Sequence, residues 1–261
     1  METLSVGEAA PGGAIGHRSG GPNGPSVGTR STAPGPAPRR LGTLGRMRGD
    51  ESFEPILTER LRMRRSVPED AEAISAYRSL PDVGRYQGWD RTDAPFLRHE
   101  FEAMAVRDPG DRGWVQLTLE ERDTGALIGD VGMSPADGEP GVLKIGYTVS
   151  PSHQGKGVAT EAVRALIGYA FDRLGADVVR IYADADNAAS IRVAEKAGLT
   201  FIERFEGHDE NERWYAVRYE IRRDEATAEA SASAGDDAAA GSSAPASDDD
   251  LGSPTASGRS P

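Results

Sequence analysis

Alternating apolar and polar residues predict the strands in the first half of the folded region. In residues 60–65, Leu61 and Met63 alternate with arginines, which is typical of a strand that buries one face. The same spacing of two recurs in 114–120, and further strands are predicted over 126–133 and 142–149. A turn of Asp, Thr and Gly separates the first two of these stretches and predicts a hairpin. The pattern predicts one early strand followed later by an antiparallel meander.

Apolar residues at helical spacing predict the helices. An amphipathic stripe runs through 157–174, and Gly198 ends a shorter helix. The predicted order is a strand, a helix opened by Pro68, a helix over 94–106, the meander, a helix over 157–174, a strand over 178–183, a helix over 187–197, and strands over 199–204 and 214–221. This order, β-α-α-β-β-β-α-β-α-β-β, predicts an α/β fold with one mixed (α+β) sheet and helices on its faces.

Composition divides the chain into three parts. Residues 1–52 are rich in Gly and Pro, and residues 224–261 form an acidic Ala/Ser/Asp tail. Neither segment holds enough large apolar side chains to offset the entropy of ordering, so both are predicted to be disordered. Residues 53–223 are long enough for one domain with its own core.

Charge and rare residues exclude several classes of function. The formal net charge is −12, which disfavours binding to nucleic acid or to an anionic membrane. The chain has no cysteine and only four histidines, none at a metal-ligand spacing, so no metal site is expected. It shows neither a membrane-spanning stretch nor a secretory signal, so the expected compartment is the cytoplasm.

A glycine-rich segment between a predicted strand and the long helix carries the candidate chemistry. Its sequence is Gln154-Gly155-Lys156-Gly157-Val158-Ala159. Glycines at such a turn let backbone N–H groups at a helix N-terminus face a pyrophosphate. The segment fails the Walker A pattern and the dinucleotide fingerprint GxGxxG, which argues against a nucleotide-phosphate-binding protein. Gln154, Gly157 and Ala159 instead satisfy the pattern Q/R-x-x-G-x-G/A.

Several further segments accompany this loop in the order expected of one family. They are TERLRMR at the first strand, RYQGWDRTD between the first helices, IGYT before the loop, and NAAS followed by RVAEKAGL after it. Over about residues 55–223 the chain resembles the GNAT N-acetyltransferase superfamily, and most closely its RimJ/RimL-like branch. The resemblance implies the GNAT fold, with a splayed central strand pair, and acetyl-CoA as co-substrate.

The resemblance also assigns roles to individual residues. The pyrophosphate of acetyl-CoA would bind to Gln154, Gly155, Lys156, Gly157, Val158 and Ala159. The splayed strand edge, with Tyr147, Thr148 and Val149, would pair with pantetheine and polarise the thioester carbonyl. Asn187 would contact the pantetheine arm, and Ser190 could protonate the leaving thiolate. Trp89 and Asp90 would wall the acceptor site.

Structural roles compete with several of these assignments. The loop could be only a turn, Asn187 only a helix cap, Ser190 an ordinary first-turn residue, and Tyr147 and Trp89 core aromatics. Relatives often carry an acid just before the I-G-Y of the third meander strand, where this chain has Lys144. The general base is therefore left open, with Glu203, Glu206 and Glu210 as candidates. This departure slightly favours amines of low pKa.

Taken together, the sequence predicts an N-acetyltransferase. It would move an acetyl group from acetyl-CoA to a primary amine, either a protein N-terminal α-amine or a small-molecule amine. With no cysteine, direct attack in a ternary complex is expected rather than a covalent enzyme intermediate. The enzyme is expected to be a monomer or a homodimer. The alternative is a non-catalytic acyl-CoA-binding module of the same fold.

Overall fold

The computed structural model describes residues 47, 49–89, 91–208 and 213–226. The chain separates after Arg223 into two units, and every element below belongs to the first. In order these elements are β1 (Ile56–Leu57), β2 (Leu61–Arg65), α1 (Ala71–Arg78), α2 (Pro81–Gly84), α3 (Ala94–Met104), β3 (Val115–Glu121), β4 (Leu127–Pro135), β5 (Val142–Val149), α4 (Val158–Tyr169), β6 (Val178–Asp184), α5 (Ala188–Lys196), β7 (Thr200–His208) and β8 (Arg213–Arg222).

The eight strands form one sheet in the order β1-β2-β3-β4-β5-β6-β8-β7. Strands β5 and β6 run parallel, and the other neighbouring pairs run antiparallel. The predicted α/β class, with one mixed sheet and helices, is confirmed. Among the described residues, no helix is long and apolar enough to cross a membrane.

The two faces of the sheet carry different helices. On β5, Tyr147 points to the face where α4 and α5 pack, and its hydroxyl reaches Ser190 on α5. On the opposite face, Tyr77 of α1 bonds to Asp130 of β4, and α3 packs against α1. The core therefore lies in two layers, one on each side of the sheet. The apolar alternation of the strands is what places one set of side chains in each layer.

Strands β5 and β6 diverge after a short paired stretch. Val142–Lys144 pair with Val178–Arg180, and beyond these residues the two strands continue without pairing to each other. The edge of β5 from Ile145 to Val149 therefore faces an opening rather than a neighbouring strand. This is the splayed central pair that the resemblance implies.

Four features of the elements differ from the sequence pattern. The short strand β1 and the one-turn helix α2 were not predicted. The first predicted helix is divided, because a 3-10 turn over Pro68–Asp70 precedes α1. The regular α-helix of α4 ends at Tyr169 and continues as a π turn over Ala170–Leu174, which Gly175 closes at φ +71°.

The folded structure includes residues before position 53, the predicted start of the domain. The carboxylate of Asp50 is buried and accepts hydrogen bonds from the Tyr169 hydroxyl at 2.8 Å and the Ser52 hydroxyl at 2.9 Å. Burial raises the pKa of Asp50, but the bonds from Tyr169 and Ser52, with the charge of Arg173, outweigh it and hold that pKa below its usual value. This contact ties the entering chain to the end of α4.

We expect Asp50→Asn to lower the free energy of unfolding at neutral pH by about 1–3 kcal/mol, the usual contribution of hydrogen bonds to a charged group. Because the folded state depresses the pKa, this contribution is present above the ordinary pKa and is lost as the pH falls through the folded value. The difference between variant and wild type should therefore shrink below about pH 4. Urea unfolding at several pH values measures it, with Glu51→Gln, an exposed neighbour, as the control.

Candidate active site

The glycine-rich loop forms a tight turn at the start of α4. Gly155 and Gly157 have φ values of +73° and +78°, in the left-handed region where a side chain is strained. Gly157 is the N-cap of α4, so the helix begins with the N–H groups of Val158, Ala159 and Thr160. These groups have no acceptor one turn earlier within the helix and carry its positive dipole end. The loop is therefore a glycine turn that leads directly into the N-terminus of α4.

The side chains of this loop differ in their contacts. The Gln154 carboxamide donates to the Val149 carbonyl at 2.9 Å, so it ties the loop to the end of β5. Lys156 is exposed, and its backbone carbonyl accepts a hydrogen bond from Arg60. The pyrophosphate-binding role of residues 154–159 stays a prediction.

The stretch of β5 that no longer pairs with β6 leads directly into this loop. Tyr147, Thr148 and Val149 are all buried, and their side chains alternate between the two faces of the sheet. The Thr148 side chain shares the face of Asp130, its cross-strand neighbour. Its hydroxyl is fully buried and finds no hydrogen-bond partner among the described residues. A buried hydroxyl without a partner is costly, which makes Thr148 a notable feature of this edge.

Three predicted site residues come together at the start of α5. Asn187 caps the helix, with its side-chain oxygen accepting the Ser190 N–H at 3.1 Å. The Ser190 hydroxyl lies 2.8 Å from the Tyr147 hydroxyl, which also reaches the Ser190 carbonyl at 3.2 Å. Asn187 and Ser190 are 1% and 0% exposed. Asn187 is thus a helix cap, and Ser190 and Tyr147 form a buried hydroxyl pair.

A buried charged cluster lies on the opposite face, next to predicted acceptor residue Trp89. The Arg78 guanidinium forms an ion pair with Asp130 and stacks over the Trp89 ring at 4.5 Å. Asp130 also accepts hydrogen bonds from Tyr77 and Gln116. Burial and the Asp130 charge raise the pKa of Tyr77 well above its usual value. The second predicted acceptor residue, Asp90, lies outside the described residues.

Sequence reasoning missed this cluster. The indication of it in the sequence is the acid at position 130, which stands among the apolar residues and glycines of 127–133. A lone acid inside a strand gives no indication of which helix supplies its partner, since Arg78 lies 52 residues earlier in the chain.

The candidate general bases are spread over several elements. Lys144 lies on β5 beside Arg180 of β6. The lysine that replaces the acid found in many relatives is therefore on the central strand pair. The Glu203 carboxylate pairs with Arg218 at 3.3 Å, and Glu206 lies exposed on β7. Glu210 is outside the described residues. The geometry does not single out one of these acids as the base.

Comparisons with known proteins agree on one family. A sequence model of the Acetyltransferase (GNAT) domain matches residues 60–200. YoaA of Bacillus subtilis (strain 168), described as an uncharacterized N-acetyltransferase, is 34% identical over 150 residues, which are 56% of this chain and 82% of YoaA.

Solved structures share the fold. One is RimL, a ribosomal L7/L12 α-N-protein acetyltransferase in complex with coenzyme A, with a TM-score of 0.58 and 16% identity over 66% of this chain and 99% of that one. Another is a variant of SpeG, a spermidine N-acetyltransferase from Vibrio cholerae. Its TM-score is 0.53, with 17% identity over 63% of this chain and 95% of that one. At these identities the likeness shows the fold alone.

Proposed function

The chain belongs to the GNAT acetyltransferase family, and from this premise we propose that it transfers an acetyl group from acetyl-CoA to a primary amine. The observation that carries the proposal is the opening between β5 and β6, which ends at the glycine-rich turn of α4. A strand that has diverged from its neighbour and a helix N-terminus in succession suit the two parts of coenzyme A. The edge suits the amide-rich pantetheine arm, and the helix end suits the pyrophosphate.

The residues of this opening fit acetyl-CoA by their chemistry. Beyond Lys144, β5 does not pair with β6, which leaves a place where a pantetheine amide could lie along the strand. The N–H groups of Val158, Ala159 and Thr160 would bind the pyrophosphate. Tyr147, Thr148 and Val149 would line the arm, and one of their N–H groups would stabilise the oxyanion as it forms on the thioester carbonyl.

The reaction would proceed by direct attack in a ternary complex. The neutral amine nitrogen forms a bond to the thioester carbon, and the tetrahedral intermediate then breaks its C–S bond. The amine nitrogen loses a proton, and the departing thiolate gains one. We propose the Ser190 hydroxyl as that proton donor, supported by Tyr147 at 2.8 Å and held by the Asn187 cap.

The acceptor is either a protein N-terminal α-amine or a small-molecule amine. The named activities of RimL and SpeG cover one of each class. Trp89 beside the buried Arg78–Asp130 pair is proposed to wall the acceptor side, together with Asp90. The enzyme would act as a monomer or a homodimer, in the cytoplasm.

Release of free thiol from acetyl-CoA tests this function. The full chain is mixed with acetyl-CoA and a panel of amines: peptides with N-terminal Ser or Ala, spermidine, and free amino acids. We expect thiol release that depends on one amine class and an acetylated product identified by mass spectrometry. Binding of acetyl-CoA without turnover of any amine would favour the non-catalytic acyl-CoA-binding module.

Ser190→Ala should lower kcat by about 100-fold, the usual contribution of a general acid, with little change in the KM for acetyl-CoA. The steady-state rates of thiol release measure both constants. Ser134→Ala is the matched control, since it also removes a buried hydroxyl from the same domain, at the far end of β4. Equal kcat values for the two variants would remove Ser190 from the mechanism.

A further inference from the structure

Arg60 joins the start of β2 to the glycine-rich loop. Its Nη1 group donates to the Lys156 carbonyl at 2.9 Å. Its Nε and Nη2 groups both approach one oxygen of Glu161, on the first turn of α4, at 2.6 Å. The Nη2 atom would also lie 3.5 Å from a Cβ placed on Gly157. One guanidinium thus links the loop and the first turn of α4 to a segment about a hundred residues earlier.

Glu161 also accepts hydrogen bonds in addition to this ion pair. Its second oxygen accepts hydrogen bonds from the Arg60 backbone N–H at 3.0 Å and from the Thr58 hydroxyl. Burial raises the pKa of the Glu161 carboxyl, but the bonds from Thr58 and Arg60 outweigh burial and hold that pKa below its usual value. Glu161 is therefore a carboxylate at neutral pH, and its partners fix it in place.

A carboxylate on this turn has two electrostatic effects. It favours the positive end of the α4 dipole, which stabilises the helix. It would also repel a pyrophosphate bound at the same helix end, because like charges a few ångströms apart repel strongly. The guanidinium of Arg60, with Nη2 2.6 Å from a Glu161 oxygen, offsets that negative charge.

We propose that Arg60 is a positioning residue for coenzyme A, which holds the pyrophosphate loop through the Lys156 carbonyl and neutralises Glu161 beside it. This inference rests on the proposed function, since it assumes that the loop binds the pyrophosphate. It assigns Arg60 a role in donor binding that is separate from the acceptor and from the proton transfer at Ser190.

Arg62 of β2, two residues after Arg60, provides a matched control. It pairs with Glu120 at 2.6 Å, as Arg60 pairs with Glu161. The side-chain exposures are also matched, 44% and 15% for the Arg62 pair against 48% and 18% for the Arg60 pair. Arg62→Gln therefore removes the same charge from a similar ion pair, but away from the loop.

Calorimetric titration of the full chain with acetyl-CoA tests the proposal. Arg60→Gln should raise the Kd about tenfold, the effect of losing a charge-assisted hydrogen bond. Arg62→Gln should change the Kd by less than about twofold, since an exposed ion pair contributes little. A Kd unchanged in Arg60→Gln, or raised equally in both variants, would overturn the proposal. A wild-type chain that does not bind acetyl-CoA would instead overturn the proposed function beneath it.

Two further readouts separate positioning from general damage to the fold. With an amine that the wild type acetylates, Arg60→Gln should lower kcat/KM for acetyl-CoA but leave kcat/KM for acetyl-pantetheine, which lacks the pyrophosphate, unchanged. Equal losses with both donors would contradict the role. If Arg60→Gln does not fold, Arg60→Lys serves instead. It keeps the charge that neutralises Glu161 but not the planar fork that also reaches the Lys156 carbonyl, so a smaller loss, still specific to acetyl-CoA, is expected. Unchanged values with both donors would count against the proposal.

Discussion

Gly157→Glu is expected to abolish acetyl-CoA binding, with the Kd raised by at least about 100-fold. The backbone at this N-cap has φ +78°, where a side chain is strained. The new carboxylate would face the pyrophosphate, and two like charges about 4 Å apart near a protein surface repel by up to about 4 kcal/mol. It would also compete with Glu161 for Arg60, whose Nη2 lies 3.5 Å from the position of the new Cβ. Calorimetric titration with acetyl-CoA measures the loss.

Gly175→Glu is the control for this prediction. Gly175 follows the far end of the same helical segment and has φ +71°. A Cβ added at this position would have no other atom within 4 Å. The substitution adds the same strain and the same charge, but away from the loop. Its Kd for acetyl-CoA should match that of the wild type. Normal binding by Gly157→Glu would mean that the loop is only a turn.

Asp130→Ala is expected to lower the free energy of unfolding by about 3–5 kcal/mol, because loss of one partner leaves a buried charge uncompensated. Asp130 is 0% exposed, and the guanidinium of its partner Arg78 is nearly as deeply buried. Tyr77 and Gln116 would lose the same acceptor. Urea unfolding, followed by circular dichroism, measures the change.

Two further variants test why Asp130→Ala loses stability. Asp137→Ala breaks an exposed pair with Arg112, so its effect should stay below about 1 kcal/mol. Replacing both partners, as in Arg78→Met with Asp130→Ala, should recover part of the stability, since no buried charge is then left alone. If the double variant is no more stable than Asp130→Ala, the unpaired guanidinium is not the cause.

The strands and long helices could be predicted from sequence because their signals are local. Alternation over 60–65 reflects which side chains face the core, and the stripe of α4 reflects its buried face. The glycine-rich turn was also local, since only glycine adopts the positive φ of positions 155 and 157 without strain. The cap at Asn187 followed from its place before a helix.

Contacts between distant segments could not be predicted in the same way. The bonds from Arg60 to Glu161 and from Tyr147 to Ser190 depend on how β2, β5, α4 and α5 lie in three dimensions. Periodicity specifies which face of an element is buried, but not which residue of another element lies opposite. The divergence of β5 and β6 was likewise reached through the family resemblance, because no pattern within either strand encodes where their pairing stops.

Calorimetric titration of the full wild-type chain with acetyl-CoA tests the central claim most directly. Binding in the micromolar range with one site per chain is the predicted result, and it would support the assignment of the β5 edge and the α4 loop as the donor site. No heat of binding at millimolar acetyl-CoA, with the protein shown to be folded by circular dichroism, would contradict the account. The fold would then be that of the family without its donor site.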